Sequence, residues 1–101
     1  MAQFDVYRNP DETAQIRVPY FLDIQNDFLD HLATRVVIPL YTDDKPVGTL
    51  TPVVEIENQE FTLATQELAA IPRRVLSSRV TNIADRRDEI IAAIDLLITG
   101  I

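Results

Sequence analysis

The feature that most constrains this chain is a change of period near residue 80. Before it, apolar residues come in short runs broken by Pro, Asn and Asp; after it, they recur at helical spacing. Gln3 to Tyr7 alternates, with Phe4 and Val6 on one face, and stops at Asn9-Pro10-Asp11, a strong turn signal. Val18 to Ile24 reads as a second strand; Pro19 cannot donate a ladder hydrogen bond, so this strand must start there or lie on an edge. Arg35 to Leu40 contains the unbroken run Val36-Val37-Ile38, expected of a strand buried on both faces. Thr42 to Gly48 is loop by composition. Pro52 to Ile56 and Glu60 to Ala64 flank Glu57-Asn58-Gln59, which reads as a tight hairpin turn, and a last short strand is expected within Arg73 to Val80.

From about Ile83 the sequence reads as helix. Thr81 or Asn82 can cap it, Asp85, Asp88 and Glu89 suit its positive end, and Gly100 stops it. At about 100° per residue, Ile83, Ile90, Ile94 and Leu97 form one stripe, with Ile91 and Ile98 on one side and Ala93 and Leu96 on the other. That arc is wider than one sheet contact covers, so a second subunit or a partner protein is expected over the remainder, with edge burial against loops as the alternative. Short strands followed by one terminal helix predict a mostly β (α+β) domain, a small barrel spanning residues 1–101 as a single unit.

Composition narrows the chemistry. The chain has no cysteine, which excludes disulfides and thiol nucleophiles and fits a reducing cytoplasm. Neither a membrane-length apolar run nor a leader pattern at Met1 to Asp5 is evident, so a complete cytoplasmic protein, without membrane contact, is expected. The net charge of −7 disfavours direct nucleic-acid binding. Residues 1–60 hold 4 basic and 11 acidic side chains, whereas residues 61–101 are balanced at 5 and 5. An acidic partner would therefore meet Arg73, Arg74, Arg79, Arg86 or Arg87. The single histidine, His31, has no cysteine to pair with, and Ser77 and Ser78 lack a nucleophile elbow. Two glycines, Gly48 and Gly100, cannot make a phosphate-cradling loop. Asp23, Asp27 and Asp30 do not follow the EF-hand pattern and read as a solvated acidic loop. No catalytic residue, metal or cofactor is expected.

Glu89 to Ile101, EIIAAIDLLITGI, resembles the end of the CcdB toxins of bacterial toxin–antitoxin pairs. Gln3 to Tyr7 (QFDVY), Phe21 to Asp30 (FLDIQNDFLD), Arg35 to Leu40 (RVVIPL) with Thr51 to Ile56 (TPVVEI), and Ala70 to Pro72 (AIP) resemble further segments of that family in the same order. The resemblance implies an SH3-like barrel with a C-terminal helix, assembled as a homodimer. It implies binding to the A subunit of DNA gyrase and trapping of the gyrase–DNA cleavage complex. It also implies a CcdA-type antitoxin that neutralises the toxin and represses the operon with it, operator DNA being touched only through the antitoxin complex.

Carried over residue by residue, the gyrase-binding surface comprises Thr99, Gly100 and Ile101, with Asp95 and Ile98 one turn earlier and Phe28 and Leu29 as a supporting apolar pair. For Phe28 and Leu29 a core role competes with that reading. Several family members have a tryptophan where this chain has Thr99, and such an anchor is worth about 2 kcal/mol or more at an interface. Two other readings remain open: a MazF-like endoribonuclease on the same small barrel, using Arg73, Arg74 or Arg86 with an acid, and a non-toxic homologue that only binds antitoxin.

Overall fold

The computed structural model describes residues 1–100. Among them are β1 (Asp5–Arg8), β2 (Tyr20–Asp23), β3 (Thr34–Tyr41), β4 (Val53–Ile56), β5 (Gln59–Leu63), β6 (Ala69–Pro72), β7 (Arg79–Asn82) and α1 (Arg87–Thr99). Every pairing is antiparallel. The spatial order is β4-β5-β3-β2-β1-β7, with β6 on the first half of β3, and the sheet forms a half-barrel with one C-terminal helix, the mostly β arrangement expected.

The register explains why both faces of the sheet centre are apolar. Val6 pairs with Leu22 and Leu22 with Ile38, setting three fully buried side chains in a row across β1, β2 and β3. Tyr20, Leu40 and Leu63 continue that face, and Val54, Ile56 and Phe61 close it from the β4–β5 hairpin. Alternation sends Tyr7, Phe21 and Val37 to the other face, where Leu76 and Ile71 cover them. Val37 and Ile38 thus belong to two different clusters, as their unbroken run requires.

Local chemistry sets the turns. Glu57 and Asn58 have φ of 52° and 66°, so both central residues of the hairpin are left-handed, the twist that matches a two-residue connection. Glu57 is held there by Arg8 at 3.7 Å and by the Tyr20 hydroxyl, which donates to it at 3.3 Å. Pro19 lies just before β2, and β2 runs between β1 and β3 rather than on an edge. Pro39, inside β3, falls where that strand passes from β6 to β5. Its carbonyl accepts from Ala64 N at 3.0 Å, while the Ala64 carbonyl takes Glu67 N instead, so the missing donor leaves no vacancy.

Several boundaries differ from expectation; the second strand, for one, starts at Tyr20 rather than Val18. The first strand starts at Asp5. The strand expected within Arg73 to Val80 divides: Arg73–Val75 is a 3-10 turn, β7 begins only at Arg79, and β6 lies before it. The helix begins at Arg87, after a 3-10 turn over Ala84–Arg86. Asn82 still serves the start of that run, its Oδ1 accepting Ala84 N at 2.9 Å.

Helix α1 buries Ile90 and Ala93, with Ile91 and Ile94 packed at the edge of the core. Full burial of Ile90 alone contributes about 1.5–3 kcal/mol. Arg86 fastens the helix start, donating to the Val53 carbonyl at 2.8 Å and gripping Glu89 at 2.7 Å.

Candidate functional site

Exposed large apolar side chains occur singly at Met1, Ile16 and Val47, and in groups at two places. The first is the end of α1. Gly100 takes φ of 76° and its N–H donates to the Asp95 and Leu96 carbonyls at 3.2 and 3.1 Å, a left-handed cap that only glycine accepts without strain. The Thr99 hydroxyl donates to the Asp95 carbonyl at 2.7 Å. Around this closed end, Ile98 is 69% exposed and Leu96 is also open. Asp95 is exposed in the last turns, where no basic residue stands and an acid opposes the helix dipole.

The second is a 3-10 turn, Asp27–Leu29, which lifts Phe28 to 91% exposure, with Leu29 and Leu32 beside it. A core role for Phe28 and Leu29 is therefore ruled out. Asn26 caps the turn by accepting Phe28 N at 2.8 Å, and Asp27 accepts Gln3 N at 2.8 Å. Gln25 reaches across it, accepting Val36 N at 3.1 Å and donating to the Leu29 carbonyl at 2.9 Å.

Beneath this turn lies a buried ion pair, not a solvated acidic loop. Arg35 and Asp23 are both fully buried. The guanidinium donates through Nε to Asp23 Oδ2 at 2.9 Å, and Nη2 lies 2.6 Å from the same oxygen without hydrogen-bond alignment. Its Nη1 donates to Asp30 Oδ1 at 3.0 Å. Burial pushes the Asp23 carboxyl up, against the opposing pull of Arg35 and the Gln25 N–H. Arg73 completes the base, donating to the Asp30 and Leu32 carbonyls and facing Asp30 Oδ1 at 3.5 Å.

A matching carboxylate stands at the root of the helix. Asp5 is buried and accepts from Arg79 Nε at 2.9 Å, Asn82 Nδ2 at 3.0 Å and Ala2 N at 2.9 Å. Burial raises its pKa, but these donors outweigh it and hold the carboxyl below the usual range. Tyr7 lies between the two carboxylates. Burial, then the negative charge of Asp5, pushes its phenol up to about 12.

Of the residues expected at the site, Asp95, Ile98, Thr99 and Gly100 share the helix end and Phe28 and Leu29 share the turn. Ile101 lies outside the described residues. No hydrogen bond joins the turn to the helix end among the described residues. Sequence reasoning missed Asp23, Arg35, Arg73 and Asp5 as the supports and Leu32 as a further exposed apolar group, whereas Leu96 falls on the over-wide apolar arc noted from the sequence. His31 is exposed. Among the described residues, no three His, Cys, Asp or Glu side chains are grouped to hold a metal, and no helix is long and apolar enough to cross a membrane.

The family model described as "CcdB protein" matches residues 3–100. The chain belongs to the CcdB family. CcdB proteins are toxins of toxin–antitoxin systems. Among solved structures, the fold is similar to an endoribonuclease in complex with its cognate antitoxin from a mycobacterial species, at TM-score 0.78 and 14% identity, covering 98% of this chain and 95% of that one. It is also similar to the Mycobacterium tuberculosis toxin MazF-mt6, at TM-score 0.69 and 18% identity, covering 79% and 85%. At such identities the likeness is one of fold. The CcdB match, by contrast, runs through the helix end and the Phe28 turn alike.

Proposed function

We propose that this CcdB-family chain poisons DNA gyrase. In this reading a homodimer binds the A subunit and traps the gyrase–DNA cleavage complex. A CcdA-type antitoxin releases that grip and co-represses the operon with the toxin, contacting operator DNA itself. The observation that carries the reading is the helix end, where Ile98 and Leu96 are exposed, Asp95 sits against the dipole, and Thr99 and Gly100 are locked by hydrogen bonds. A rigid apolar tip bearing one acid suits insertion into a partner's groove, and a two-fold assembly offers it twice. The Phe28 turn supplies a second apolar anchor.

An endoribonuclease reading takes support from the fold shared with the mycobacterial endoribonuclease. Two of the three arginines it could use are otherwise engaged, Arg86 with Glu89 and the Val53 carbonyl and Arg73 with Asp30, while Arg74 is exposed. A net charge of −7 also opposes RNA.

The deciding experiment is a supercoiling and DNA-cleavage assay with purified protein and gyrase. The expected result is lost supercoiling with accumulation of cleaved DNA, reversed by antitoxin. Gyrase left untouched at high toxin concentration overturns the target, and RNA cleavage without gyrase favours the nuclease.

A further inference from the structure

We infer that Arg73 is a positioning residue for partner binding: its guanidinium, from the start of the turn after β6, fixes the backbone of residues 30–32 so that Phe28 and Leu29 are presented in one rigid orientation. This rests on the reading of Phe28 and Leu29 as partner contacts.

The argument begins from what an exposed aromatic costs. Phe28 has almost no packing of its own, so nothing in an apolar core holds it in place. Its direction is set by the backbone beneath, a single short turn between β2 and β3 with no ladder of its own. Such a segment samples many conformations unless its carbonyls are tied, and a partner must then bear the entropy of ordering it.

Here those carbonyls are tied by side chains from elsewhere. Gln25 holds the Leu29 carbonyl, and Arg73 takes the carbonyls of both Asp30 and Leu32. Its backbone adds another tie, Arg73 N donating to the Ala33 carbonyl at 2.9 Å. Asp30 is meanwhile held on its carboxylate by Arg35 and Arg73 from two sides. Arg35 is fully buried and belongs to the core, whereas Arg73 is about one-third exposed and contributes little to it. A planar guanidinium with several fixed donors can hold two carbonyls and a carboxylate together. That placement marks Arg73 as a brace for the display more than for the fold.

The test measures affinity of the purified full chain for the gyrase A subunit in Arg73→Ala, Phe28→Ala and the double variant. Hydrogen exchange at Leu29, Asp30 and Leu32 is followed in parallel. Arg73→Ala is expected to weaken binding on the order of tenfold and to speed exchange at those amides, with global unfolding nearly unchanged. In the Phe28→Ala background the same change is expected to cost nothing further, because the group it positions has gone. Wild-type affinity in Arg73→Ala, or a loss that simply adds to that of Phe28→Ala, overturns the inference, the latter by making Arg73 a direct contact. Should Arg73→Ala fail to fold, Arg73→Gln keeps the side-chain stem, removes the guanidinium and carries the same cycle. If the wild-type chain does not bind gyrase A, the functional reading falls on its own, and the exchange rates decide the brace: unchanged rates sink it, faster rates uphold it.

Discussion

The turn that displays Phe28 and the helix that displays Ile98 each rise from a buried carboxylate, but the two roots are built on different terms. Asp23 faces Arg35, and both are sealed from water; Asp5 faces Arg79, whose side chain is 55% exposed. A sealed pair is close to all-or-none, since loss of either partner strands a charge where water cannot reach it. The half-open pair degrades more gently, because the Asn82 amide and the Ala2 N–H still donate to Asp5 when Arg79 is removed. Tyr7 links the two, its hydroxyl donating to Asp5 at 3.3 Å while Asp23 and Arg35 also act on its titration.

The largest expected effect breaks the comparison at its strong end. Arg35→Met should cost about 3–5 kcal/mol of stability in urea unfolding, whereas Arg79→Met should cost about 1 kcal/mol or less. Equal losses would mean that burial does not separate the two roots. Next comes the display itself. Deleting Thr99 to Ile101 should leave the unfolding midpoint nearly unchanged yet remove about 2 kcal/mol or more of gyrase binding. A truncated chain that stayed fully toxic would contradict the helix-tip reading.

The smallest effect concerns acid. Asp5 has its carboxyl held below the usual 3.8, so it contributes stability that is complete above that value and lost as pH falls through its lowered folded value. Asp23 is shifted up, and its contribution runs the opposite way: present below 3.8 and lost as pH rises through its folded value. Asp5→Asn should therefore flatten the decline in stability below about pH 3.8, followed by thermal melts. An unaltered acid limb would show that other carboxylates govern it.

What could be read from the sequence was what depends on neighbours along the chain. The hairpin at Glu57-Asn58 and the helix with its Gly100 stop follow from local turn chemistry and periodicity. Strand β6 was invisible because Ala69-Ala70-Ile71-Pro72 has no alternation and weak strand propensity; it forms because β3 offers it an edge. The helix start moved to Arg87 because Asn82 caps a 3-10 turn first. The polar roots escaped because each charge, taken alone, looks solvated. Asp23 lies opposite Val37 in register and meets Arg35 only when β2 and β3 pair. One signal was present: Asp5, Asp23 and Arg35 share strand parity with Tyr7, Phe21 and Val37, the outer apolar face.

The spans of these contacts carry a consequence for how the molecule is assembled. Arg35 finds Asp30 and Asp23 within 5 and 12 residues, so closing that cluster sacrifices little chain freedom. Asp5 must find Arg79 and Asn82 across 74 and 77 residues, almost the whole polypeptide. The pairing of β1, β2 and β3 can thus form early, whereas the Phe28 turn waits for Arg73 and the helix waits for its seat until β7 docks beside β1. The exposed end of the helix is seated last.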